Sequence, residues 1–105
     1  ITNFKRNNTM SVYVIYSSLR YYNQVTSKLD SAPVAEPKLL VKQDAGYNLP
    51  YLFSSIDSAA KFLYSTLNVE NEVADTVFLS KYRSVANSSH LLEFTKYTIK
   101  KIDVL

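Results

Sequence analysis

At 105 residues the chain has room for one domain and not two. Apolar residues make up 47% and charged residues 20%, which excludes intrinsic disorder. With no Cys and a single His it cannot build a Cys/His zinc site by itself, and its single Gly excludes the Gly-rich phosphate loops of P-loop and dinucleotide-binding proteins.

Residues 1–9 (ITNFKRNNT) are basic and polar. They lack the apolar stretch of a secretory signal and read as a flexible extension ahead of a domain over 10–105. Ser11 to Ser18 (SVYVIYSS) is β-branched and aromatic and predicts a strand. Val12, Val14 and Tyr16 share one face, and Tyr13 and Ile15 share the other. Both faces are apolar, which suits a central strand with a helix on one side. Arg20 to Thr26 reads as a second strand pairing back after a turn at Ser17-Ser18-Leu19.

Lys28 to Pro37 contains two prolines and predicts a loop. A short strand is expected over Lys38–Gln43, a turn over Asp44–Pro50 around Gly46, and a short strand over Tyr51–Phe53. The best helix follows at 54–67 (SSIDSAAKFLYSTL). Ser54 is the expected N-cap, with Asp57 three residues on completing a capping box. Ile56, Ala59, Ala60, Leu63 and Leu67 form one helical stripe, which a strand-rich chain would bury in its own core. Asn68 is an acceptable stop.

Val69 to Asp75 is acidic and reads as a loop or a second short helix. Thr76 to Val85 fits helix and strand equally. A polar break at Ala86–His90 precedes a β-rich end, with Thr98–Val104 its best strand. The expected fold is α+β: a mostly antiparallel sheet of four or five strands with the 54–67 helix packed on one face.

No catalytic constellation stands out. His90 follows Ser88 and Ser89, but triad partners meet in space rather than by adjacency, so a surface histidine is expected. Glu70, Glu72 and Asp75 lack the frame of a calcium loop and read as a solvated acidic segment. The expectation is a protein that is not an enzyme and uses no cofactor or metal.

Two features point to binding. Net charge is +3, and two basic groups flank aromatic rings: Arg20 with Tyr21 and Tyr22, and Lys96, Lys100 and Lys101 with Tyr97. Interleaved rings and cations can stack bases and neutralise phosphates. They are equally the residues of an ordinary outer strand, where Lys guards against edge pairing. Nine Tyr in so small a domain also suit a protein interface, with Tyr13, Tyr21, Tyr22, Tyr51 and Tyr64 as candidates for an exposed face.

The order SVYVIY, LFSSIDSAAKFL, KYTIKKIDVL is similar to a pattern in small accessory proteins, many of them bacteriophage-encoded. That resemblance covers about a third of the chain. It implies a compact α+β unit that binds and modulates a host macromolecule. Phe53, Ser55, Ile56, Ala59, Ala60 and Leu63 also resemble the modular DNA-binding segment found beside homing nucleases. That module continues into a second short recognition helix, whereas VENEVAD here places acid where it would repel phosphate. The first expectation is therefore a protein partner and the second a nucleic acid. No apolar run reaches membrane-spanning length, and a cytoplasmic protein is expected.

Overall fold

The computed structural model describes residues 10–26, 28–29, 36–86 and 90–104. The expected extension over 1–9 lies outside them. They form an α+β unit with one helix and a mostly antiparallel sheet.

The frame is a pair of long strands, β1 (Met10–Asn23) and β9 (Leu91–Val104). They pair antiparallel along their whole 14-residue length, from Met10↔Val104 to Asn23↔Leu91. At about 3.3 Å per residue this ribbon runs roughly 46 Å. Short strands line both of its edges. β2 (Lys28–Leu29) and β3 (Lys38–Leu39) pair with β1, and Phe53 bridges Tyr13. On the other edge β7 (Val77–Leu79) and β8 (Arg83–Ser84) pair with β9, and β6 (Asn71–Ala74) pairs with β7. The main sheet thus holds seven strands rather than four or five. β4 (Val41–Asp44) and β5 (Tyr47–Pro50) form a separate two-stranded hairpin.

Several local expectations are corrected. No turn forms at Ser17-Ser18-Leu19, and residues 20–23 continue β1. The Ser pair is held extended because Ser17 faces Tyr97 on β9 and Lys38 on β3. The chain reverses instead after Asn23, whose Oδ1 accepts from the Val25 and Thr26 amides at 2.9 and 3.2 Å. Lys38–Gln43 is not one strand. Leu40 separates β3 from β4, donating to the Ile15 carbonyl at 2.7 Å and accepting from the Tyr51 amide at 3.3 Å. The turn expected over 44–50 shrinks to Ala45-Gly46, both at positive φ, the geometry of a tight two-residue hairpin. The acidic segment forms β6 rather than a helix, with a register irregularity at Glu72/Ala74. The ambiguous stretch resolves as β7 and β8.

α1 spans Ile56–Thr66 and is capped one residue later than expected. Ser55, not Ser54, is the N-cap. Its hydroxyl accepts from the Ser58 amide at 3.1 Å, and the Ser58 hydroxyl accepts from the Ser55 amide at 3.2 Å. Asp57 therefore favours the helix only through its charge in the first turn. Asn68 ends the helix in the left-handed region at φ 51°.

The helix buries the stripe the spacing predicts. Ala59 and Leu63 are fully buried and pack with Ile15, Val69, Phe78 and Ile99. Ile56, Ala60 and Leu67 flank this cluster, as do Tyr13, Phe53, Phe62 and Tyr97. Tyr51, Phe53 and Phe62 close one end with ring centroids 4.6 to 6.4 Å apart. No helix among the described residues is long and apolar enough to cross a membrane.

Two outcomes test this packing. Leu63→Ala empties a fully enclosed site and should cost about 2–5 kcal/mol of stability. A thermal melt within a degree of the wild type would show that the helix does not lie on the sheet. Ala45 holds a left-handed conformation that costs an alanine roughly 1–2 kcal/mol, whereas Asn tolerates it. Ala45→Asn should therefore slow amide exchange at Lys42 and Leu49 by several-fold. Unchanged or faster exchange would count against the positive-φ turn.

Candidate functional site

Side chains alternate across a strand, and strand partners share a face. The helix lies on the face of Tyr13, Ile15, Tyr97, Ile99 and Phe78. The opposite face therefore carries Val12, Val14, Tyr16, Ser18, Arg20 and Tyr22 of β1 with Ile102, Lys100, Thr98, Lys96, Phe94 and Leu92 of β9. Val77 and Leu79 of β7 join it opposite Thr98 and Lys96. No helix covers this open face among the described residues.

The β1–β9 ladder brings together the two basic groups, which are far apart in the chain. It also divides them. Arg20, Tyr22, Lys96 and Lys100 fall on the open face. Tyr21, Tyr97 and Lys101 fall on the helix face. Tyr21 is opposite Glu93, Tyr97 packs against the core beside Phe78, and Lys101 Nζ lies 3.9 Å from Asp103. The reason is parity: adjacent residues of an extended strand cannot serve one surface.

Two adjoining depressions cover the open face. One, of about 320 Å³, is lined by Tyr16, Ser18, Arg20, Lys96, Thr98 and Lys100, with Pro37 at its edge. The other, of about 200 Å³, is lined by Val73, Val77, Leu79, Tyr82 and Phe94 and shares Arg20 and Lys96 with the first. Arg20 Nε donates to the buried Ser18 hydroxyl at 3.2 Å, which fixes the base of the guanidinium. Lys100 Nζ sits 5.3 Å from the centroid of the Tyr16 ring, in cation–π range. Tyr82 stacks on Phe94 at 4.7 Å and 16°, and the Tyr22 ring stands 6.1 Å from Tyr82.

The charges are segregated. Both ion pairs of the described residues, Arg83–Glu93 and Lys101–Asp103, involve strand positions of the helix-face parity. No strand residue of the open face is acidic, and no ion pair among the described residues neutralises Arg20, Lys96 or Lys100. Glu36 neighbours Pro37 in the chain, is exposed, and pairs with none of them. On the other side of the molecule Asp57, Glu72 and Asp75 line a depression beside the helix with Ile56, Ala60 and Phe78.

Of the tyrosines expected on an exposed face, Tyr13 packs against the core and Tyr51 stacks on Phe53 and Phe62. Tyr64 is exposed but edge-on to Phe78, and its hydroxyl donates to Glu72 at 3.2 Å. Sequence reasoning passed over Tyr16, Phe94 and Tyr82 as site residues. Tyr16 shares the parity of Arg20, a signal hidden by placing a turn between them. Tyr82 reaches the face through β8, whose pairing the sequence does not show.

Ser88 and Ser89 lie outside the described residues. The His90 carbonyl accepts from the Gln24 amide at 2.8 Å, closing the end of the ribbon. Among the described residues no three His, Asp or Glu side chains gather to hold a metal ion. The acidic segment after α1 is a strand, so the second recognition helix of the homing-nuclease module has no counterpart. No protein-family model, no curated protein and no solved structure matches this chain.

Burial pushes the Tyr97 phenol above its ordinary value near 10, and a hydrogen bond with Thr95 offsets part of that rise. A raised folded pKa means stability that is present below about pH 10 and lost as pH climbs through the folded value. In denaturant titrations, wild type and Tyr97→Phe should run parallel to about pH 9, after which the wild type should fall more steeply. Parallel curves through pH 11 would place the phenol in solvent.

Proposed function

We propose that this chain is a small, non-enzymatic binding module that engages an anionic surface of a larger macromolecule through its open sheet face. One observation carries the reading: among the described residues no carboxylate pairs with Arg20, Lys96 or Lys100, which line that face, while Arg83 and Lys101, at helix-face positions, each have one. Uncompensated cations in a row concentrate polyanions and speed their encounter. Aromatic and aliphatic groups between them give a bound partner apolar surface to cover. Binding is the chemistry that this arrangement of cations and rings supports. Modulation of a host partner, the role implied by the resemblance to phage accessory proteins, is compatible with such a face.

A charge-matched comparison on a heparin matrix tests it. Arg20→Ala/Lys96→Ala/Lys100→Ala removes the same charge as Lys42→Ala/Lys61→Ala/Lys81→Ala, whose three lysines are exposed elsewhere. The open-face variant should elute at markedly lower salt, and the control near the wild type, with both melting cooperatively. Equal shifts in the two variants would mean that net charge, not this face, holds the polyanion.

A further inference from the structure

Resting on that reading, we infer that the partner is a single-stranded nucleic acid, its phosphates tracking Lys100, Lys96 and Arg20 and its bases stacking on Tyr16 and on the Tyr22–Tyr82 ring pair. The cations are arranged in a line. Lys96 and Lys100 lie four residues apart on one face of β9, about 13 Å. Arg20 faces Phe94, two positions beyond Lys96, so the row extends to roughly 20 Å along the ribbon. A linear row suits a chain with charge at every repeat better than the compact charge of a small ligand or a single phosphate. Rings stand along it. Tyr16 lies under Lys100 and opposite Thr98, between Lys100 and Lys96; Tyr82 stacks on Phe94, the strand partner of Arg20; and Tyr22 lies one same-face position beyond Arg20. Bases stack on such rings whatever their identity, because every base has a π-face.

The same geometry argues against a duplex, which hides its base faces. Reading one calls for an element that enters a groove. The only helix among the described residues is buried against the sheet along its apolar stripe, and Asp57, Glu72 and Asp75 line a depression beside it. An open sheet face with rings and cations instead presents a platform to unstacked bases. An acidic protein would match the charge and could cover the rings, but it does not bring a stackable face with each charged repeat, as a strand of nucleotides does.

The test is fluorescence anisotropy with a labelled 12-nucleotide dT strand, a 12-base-pair duplex and poly-glutamate, on the full chain. Expected are preferential binding of the single strand, quenching of tyrosine fluorescence on binding, and a log–log salt slope of about −2, near −0.7 for each of three phosphates. Tyr16→Leu should weaken the strand about 5- to 150-fold, the range for one stacked base, while leaving the salt slope and the heparin elution unchanged. If duplex or poly-glutamate binds as well as the strand, or Tyr16→Leu changes nothing, the face takes polyanions by charge alone. This inference then falls and the broader reading stands. If neither strand nor heparin responds to loss of Arg20, Lys96 and Lys100, both fall.

Discussion

Everything in this molecule hangs on one antiparallel ladder, the pairing of β1 with β9. It joins the two ends of the described chain, so it must close a long loop. From Asn23 to Leu91 that loop costs on the order of 4 kcal/mol in chain entropy beyond a constant. The cost is bearable because it grows only logarithmically and because the ladder, once closed, gains hydrogen bonds along its whole length. Nothing between the strands supplies a comparable frame. β2, β3 and β8 each contribute two residues, and Phe53 contributes a single bridge. These pieces are held because a paired ribbon offers them an edge. The dependence runs one way, and pairing between sequence-distant segments makes slow folding the natural expectation for this topology.

The ladder also sets the division of labour between faces. A strand has a period of two, so one face can be a core and the other a surface without either compromising its composition. Ile15 and Ile99 face each other under the helix. One residue away, Val14 faces Lys100, and Tyr16 faces Thr98; Val14, Ser18 and Phe94 are buried within that face, and its cations and rings carry its exposed surface. The half of the ribbon near Tyr13 and Ile15 is closed by α1, while the half near Tyr22 is closed on the open face by aromatic stacking of Tyr22, Tyr82 and Phe94. The cations run from one half into the other, from Lys100 opposite Val14 to Arg20 opposite Phe94. Lys100 is steadied over a ring and Arg20 by the Ser18 hydroxyl, which limits the freedom each would lose on binding.

The sequence makes the helix legible because a 3.6-residue period over Ile56, Ala59, Ala60, Leu63 and Leu67 is hard to imitate. It makes the ladder only half legible. SVYVIY declares a strand, but Ser17, Ser18, Leu19 and Arg20 carry little β-propensity, and their extended form is imposed by pairing with β9, joined at Ser17 by β3 on the other edge. Reading a turn there displaced the parity of everything after it. Arg20, Tyr21 and Tyr22 then appeared as one cluster when they alternate between faces. The N-cap shows the same limit on a small scale. Ser54 and Ser55 are equivalent as residues, and it is the second whose hydroxyl and amide pair reciprocally with Ser58. β6 was illegible because acidic residues with a solvent-facing edge satisfy a strand, a loop and a helix alike.

The open face is not explained by stability. Diagonal neighbours such as Arg20 and Lys96 have Cβ atoms about 7 Å apart. Like charges carried on such neighbours repel, weakly in water and more strongly where water is excluded. A single Asp or Glu at Thr98, midway between Lys96 and Lys100 on the same face, would turn repulsion into attraction. That device is used on the other side of the sheet, where Asp103 lies beside Lys101 and Glu93 beside Arg83. Among the described residues the fold places carboxylates beside its cations at helix-face positions and none beside Arg20, Lys96 or Lys100, which leaves their mutual repulsion unrelieved at a cost in stability. Such a cost is the usual mark of a surface kept for a ligand rather than for the fold. Among the described residues no carboxylate pairs with these cations, and a polyanion laid along them would relieve the repulsion.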